Sequence, residues 1–211
     1  MRRSPVPPVA DGTACRSPGT FWCGTEKIYE FEISCVDTEE TYPEDFCAVL
    51  PVKKWKGQKI RIEGDVCESL LSAVREKESA VRENSGYIHF VPETGWINDP
   101  NGLIYSEGKY HLYFQHNPVD VNWGNMSWGH AESTDLLHWV QKEDVMFPDE
   151  NGTMFSGCAI LNERGLLGLP KDTPVFFYTV AGSASEWSKG KKFVQRIAYS
   201  TDQGETLTKI E

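Results

Sequence analysis

The stretch GWINDPNG, Gly95 to Gly102, sets a carboxylate, Asp99, between an amide and a proline, with an indole, Trp96, three positions before it. Two readings compete for it. Asn98-Asp99-Pro100-Asn101-Gly102 is dense in turn formers: a residue before proline is pushed toward extended geometry, and Asn-Gly favours a reversal. The alternative is a carboxylate aimed at a ligand. The surrounding blocks favour the second. Gln115 lies in YFQHNP, Trp123 heads WGNMSWGH, and Phe155 and Ser156 lie in MFSGCAI. Asn, Gln and Ser side chains exchange hydrogen bonds with sugar hydroxyls, and Trp and Phe faces pack on the C–H face of a sugar ring.

These residues must be positioned by something. From Tyr87 onward short strands recur without helix signals. GLIYS and KYHLYFQHN flank Glu107-Gly108, a tight hairpin; MSWGHAEST and LLHWVQK follow, joined through Thr134-Asp135. A second set of four follows: MFSGCAIL, PVFFYTVAG, FVQRIAYST and TLTKIE. Two successive antiparallel units of about 50 residues have the size of propeller blades, although a β-sandwich also yields many short strands. The site residues fall at strand ends, where a propeller gathers its loops. STDQGETL, Ser200 to Leu207, reads as a turn in which Asp202 bonds nearby backbone N–H groups.

Upstream, residues 1–20 are rich in Pro, Ser and Gly and read as a loose arm. Residues 21–86 read as a small strand-rich domain: KIYEFEISC alternates apolar and polar positions, EDFCAVLPV and QKIRIEGDV follow, and residues 67–84 pattern as a connector helix. Residues 87–211 form the remaining domain.

Composition narrows the classes. Hydrophobic residues make up 39% and aromatic residues 12% of 211, enough for a packed core. The net charge of −10 and the lack of a basic stripe argue against a nucleic-acid partner. No apolar run approaches the roughly 20 residues of a membrane helix. The six cysteines form no C-x-x-C pair, which argues against a structural zinc. His111 and His116, five apart, point to opposite faces of a strand, so a metal role is not expected there. Asp144, Asp149, Glu150, Glu132 and Glu186 lie outside any supporting motif; those in the loops read as solvated.

The ordered blocks WINDPNG, YFQHNPVDVNWGNMSWGHAESTDLLHW, FSGCAI and AYSTDQGETLTKIE resemble glycoside hydrolase family 32, the β-fructofuranosidases, invertases, inulinases and levanases, over residues 87 to 211. The resemblance implies an all-β fold: the first two blades of a five-bladed β-propeller, preceded by the small strand-rich domain with its helical connector. It implies retaining hydrolysis of terminal β-fructosyl groups in fructans or sucrose, with no metal or other cofactor. Asp99 would be the nucleophile; Trp96, Ile97, Asn98, Gln115, Trp123, Phe155 and Ser156 would bind the sugar. Ile97 stands for the family's Met or Leu, and Cys158 for the second Ser of its F-S-G-S block.

The family draws its acid/base Glu from a Glu-Cys motif and a transition-state-stabilising Asp from an Arg-Asp-Pro motif. Neither occurs in these 211 residues. The sequence is therefore expected to be an inactive front part of such an enzyme. A fructosyltransferase of the same family and a non-catalytic fructan-binding module are the competing functions. A parent acting on polymeric fructan would work outside the cell or in the periplasm; the sequence shows no signal peptide and does not set the oligomeric state.

Overall fold

A computed structural model describes residues 15–35, 50, 52–64 and 89–210. The chain forms two compact units. One takes residues 1–83 together with Pro92–Trp96 and Asn117–Asn125; the other takes Asn84–Val91, Ile97–His116 and Met126–Glu211.

In the first unit, β1 (Cys15–Cys23), β2 (Glu26–Cys35) and β3 (Ile60–Gly64) form an antiparallel sheet in the order β2-β1-β3. Two of these strands match the sequence reading; β1 corrects it, because the arm expected over residues 1–20 is strand from Cys15 onward. The Pro and Gly that suggested an arm are tolerated for a local reason. β3 pairs with β1 only from Gly19 to Cys23, so Pro18 faces no β3 partner and its missing N–H costs no ladder bond. Phe21, Tyr29, Phe31 and Ile33 form the buried face, with the Phe21 and Phe31 rings 5.3 Å apart. The strand read over EDFCAVLPV lies outside the described residues except at Leu50, which is buried, and at Val52; the helix read over 67–84 lies wholly outside them.

Asn125 explains how Asn117–Asn125 joins this unit. Its Oδ1 accepts from Glu32 N and its Nδ2 donates to Glu32 O, both at 2.7 Å, so the side-chain amide pairs with β2 as a strand would.

The second unit is two meanders in series. β4 (Trp96–Ser106), β5 (Lys109–Asn117), β6 (Ser127–Ser133) and β7 (Trp139–Gln141) form one four-stranded sheet; β8 (Thr153–Leu161), β9 (Pro174–Ala181), β10 (Val194–Tyr199) and β11 (Thr208–Ile210) form the next. Each runs in strict chain order from edge to edge, as blades do and a Greek-key sandwich does not. All eight expected strands are present. Glu107 and Gly108 turn β4 into β5 with φ of 51° and 85°, the pair of left-handed residues a two-residue hairpin requires. Tyr113, Trp128, Met146, Met154, Phe176, Tyr178, Val180 and Ala198 form the core of this unit. Tyr113 and Trp128 meet Phe176 edge-on at 5.0 and 6.3 Å, so aromatic contacts join the two sheets.

Beside that core lies a polar cluster that sequence spacing did not reveal. His111 Nδ1 and His130 Nε2 are 3.1 Å apart, and Glu132 is held by Lys109 at 2.9 Å and Lys142 at 3.6 Å. Burial, then the charge of His111, pushes the His130 pKa from 6.5 down to about 3; burial also lowers that of His111, against the pull of Glu132. The unfolded chain protonates these imidazoles below about pH 6.5 while the fold resists. Their contribution to stability is therefore complete above pH 6.5 and lost as pH falls toward 3, at up to about 1.4 kcal/mol per pH unit for one site. The urea midpoint is expected to drop steadily from pH 6.5 to 4, and His130→Gln to flatten the slope. A midpoint level over that range would contradict the assignment.

Candidate active site

The stretch that reads as a turn is a strand. β4 runs unbroken from Trp96 to Ser106, and Asp99-Pro100 lies inside it. The proline drives the carboxylate-bearing residue into extended geometry. Its own missing N–H is tolerated because β4 is an edge strand. The reversal that Asn101-Gly102 favours is reduced to one left-handed residue, Gly102, at φ 46°. Asp99 is exposed, and its carboxylate Oδ2 accepts a hydrogen bond from Ser156 Oγ at 2.7 Å. Hydroxyl-to-carboxylate bonds of this length are charge-assisted and fix the carboxylate's rotamer.

Ser156 reaches Asp99 because β8 carries a bulge. Phe155 pairs with Thr179 and Gly157 with Tyr178, adjacent residues on β9, so Ser156 is the extra residue with no partner opposite. A bulge bends its strand and re-aims a side chain. Gly157 is required there: a Cβ at this position would lie 2.0 Å from Phe177 O and 2.8 Å from Tyr178 Cα. Three bonds hold the segment ahead of the bulge. Gln115 Nε2 donates to Met154 O at 2.9 Å, Trp128 Nε1 donates to Phe155 O at 3.1 Å, and Met154 N donates to Met126 O at 2.9 Å. Behind it, Gly157 N donates to Asn101 Oδ1 at 3.4 Å.

The sequence-derived site residues therefore separate into groups. Asp99 and Ser156 are bonded to each other. Phe155 is half-buried next to Ser156 and meets Phe193 edge-on, with centroids 5.8 Å apart. Ile97 and Asn98 are half-buried and precede Asp99 on β4. Gln115 is buried, 2% exposed, with its amide N–H committed to a backbone carbonyl. Trp96 and Trp123 belong to the first unit and are 37% and 50% exposed. Asn101 and Trp128 each sit in one of the quoted motifs, but only the cross-sheet bonds reveal what they hold.

Several of the other carboxylates have partners among the described residues. Asp144 is not solvated, as loop position suggested, but buried against His116 Nδ1 at 2.8 Å. Asp149 holds Lys209 Nζ at 2.5 Å, and Glu132 is buried in the histidine cluster. Asp135 and Asp202 do organise turns. The His138 backbone N–H leads the bonds that hold the Asp135 carboxyl well below the usual range. Burial pushes Asp202 up, but bonds from Thr206 and Ser200 outweigh it and lower its pKa.

His111, His130 and Glu132 bring three ligand atoms within 4.8 Å of one another. Lys109 and Lys142 pair with Glu132 and the imidazoles bond each other, while His130 Nδ1 is buried without a hydrogen-bond partner.

Residues 89–211 match the family model described as the glycosyl hydrolases family 32 N-terminal domain. The chain is 44% identical over 124 residues to a levanase of Bacillus subtilis (strain 168), covering 57% of this chain and 17% of that protein. It is 41% identical over 137 residues to the extracellular exo-inulinase of Aspergillus awamori, covering 58% of this chain and 26% of that one. It is also similar to the solved β-fructofuranosidase from Schwanniomyces occidentalis complexed with fructosyl-erythritol, with TM-score 0.51 and 37% identity over 58% of this chain and 25% of that chain. The chain spans about a quarter or less of the length of these relatives.

Proposed function

The chain belongs to glycosyl hydrolase family 32, its two meanders being the first blades of a β-propeller, and from that premise we propose that Asp99 is the nucleophile in retaining cleavage of terminal β-fructosyl groups of fructans or sucrose. The observation that carries this is the 2.7 Å bond from Ser156 Oγ to Oδ2 of an exposed carboxylate on a strand. Ser156 holds Oδ2, and Oδ1 is the atom offered to C2 of the fructosyl ring. Attack forms a C2–O ester as the glycosidic bond breaks, and water later cleaves the ester. Asn98, Ile97 and Phe155 contact the same fructosyl unit, Gln115 supports it, and Trp96 and Trp123 carry the same assignment through their motifs.

A retaining mechanism needs a second carboxyl group about 5–5.5 Å away to protonate the leaving oxygen. The motifs that supply it and the transition-state Asp are absent from this sequence, so these residues furnish the nucleophile half of the chemistry. Sucrose and levan, whose alkoxide leaving groups need that proton, are expected to persist. β-Fructosyl fluoride removes the requirement, because fluoride departs with the bonding pair and needs little proton assistance. On incubation with it, mass spectrometry should find one fructosyl unit on the peptide that contains Asp99. Unmodified peptide at full donor consumption would argue against the assignment.

A further inference from the structure

We propose that Trp128 is a positioning residue for Asp99: by holding the Phe155 carbonyl, its indole N–H fixes the bulge from which Ser156 reaches the carboxylate. The inference rests on the reading of Asp99 as nucleophile.

Trp128 on β6 lies directly opposite Gln115 on β5, so the two side chains share one face of their sheet. Both are buried, at 0% and 2% exposure, and each spends its N–H on β8. They take successive carbonyls, Met154 at 2.9 Å and Phe155 at 3.1 Å, the last two before Ser156. The pairing with β9 is interrupted at just this point, between Phe155 and Gly157. A bulged residue lacks the ladder bonds that otherwise set a strand's course. The side chains thus hold the segment where the ladder is interrupted, and the carbonyl that the indole holds immediately precedes Ser156. A shift of the Phe155 peptide would swing Ser156 Oγ away from the 2.7 Å bond to Asp99. Positional errors of about 1 Å at a reacting group are enough to slow chemistry markedly.

Trp128 also packs edge-on against Phe176 and Tyr178 at 6.3 Å, so its role as a donor must be separated from its bulk. Fluoride release from β-fructosyl fluoride by the full chain provides the measurement. Trp128→Phe is expected to slow release about tenfold. Benzothienylalanine at position 128 alone, which keeps the bicyclic shape without the N–H, is expected to do the same and serves if the Phe variant does not fold. In a Ser156→Ala background neither change should slow release further, since both act through the same hydroxyl. Wild-type rates in the isostere, or losses that add to that of Ser156→Ala, would overturn the proposal. Release unchanged in Asp99→Asn would instead overturn the nucleophile reading, and with it the inference that rests on it.

Discussion

Asp99→Asn is expected to abolish formation of the fructosyl ester while leaving the fold intact. The amide carries no charge and cannot displace fluoride from C2, so the rate should fall by on the order of 10⁴-fold or more, the scale seen when a nucleophile is removed. Stability should change by less than about 1 kcal/mol, because the residue is exposed and Asn keeps an oxygen to accept the Ser156 hydroxyl. Fluoride release, the mass of the Asp99 peptide and the thermal midpoint together make the test. A variant that melts normally and still acquires the fructosyl unit would end the assignment. Ser156→Ala supplies the graded comparison: the carboxylate remains but loses its charge-assisted bond, and a loss of about tenfold to a hundredfold is expected.

The second large effect is on the architecture beneath the site. Gly157→Ala sets a methyl group 2.0 Å from Phe177 O and 2.8 Å from Tyr178 Cα, both β9 backbone atoms with no rotamer through which to yield. Either β8 and β9 separate, or the bulge dissolves. In the second case the extra residue enters the ladder and the outer half of β8 slips by one position. Exposed Cys158 and Ile160 would then turn toward the core side and half-buried Ala159 away from it. Both routes are costly, at roughly 3–5 kcal/mol, and both take Ser156 away from Asp99. The variant should melt far below the parent and release fluoride no faster than Ser156→Ala. Cys158→Ala, one residue on at an exposed position, should melt like the parent. Equal melting of the Gly157→Ala variant and the parent would show that the bulge is not as described.

How much of this was legible beforehand depends on whether the determinant is local. Short runs of strand-forming residues bounded by turn formers placed all eight strands of the two blades, because both signals are carried by neighbouring residues. The Glu107-Gly108 hairpin was readable for the same reason. The ordered motifs singled out both Asp99 and Ser156, whose side chains bond each other although 57 positions apart. Where local signals conflicted with pairing, they misled. Pro18 and Gly19 suggested a loose arm, yet pairing with β2 makes the segment a strand. Asn101-Gly102 suggested a turn, yet the edge of a sheet keeps it extended. Asp144 suggested solvent, yet His116 buries with it.

The sequence by itself determined the family and the strand count of the blades. Only the tertiary structure decided that Ser156 sits on a bulge, that Gln115 and Trp128 hold the carbonyls before it, and that His111, His130 and Glu132 meet. The reason is physical: each of these depends on the register between strands that lie far apart in the chain, and register follows from which faces can pack and which backbone groups remain to be bonded, quantities no single strand contains.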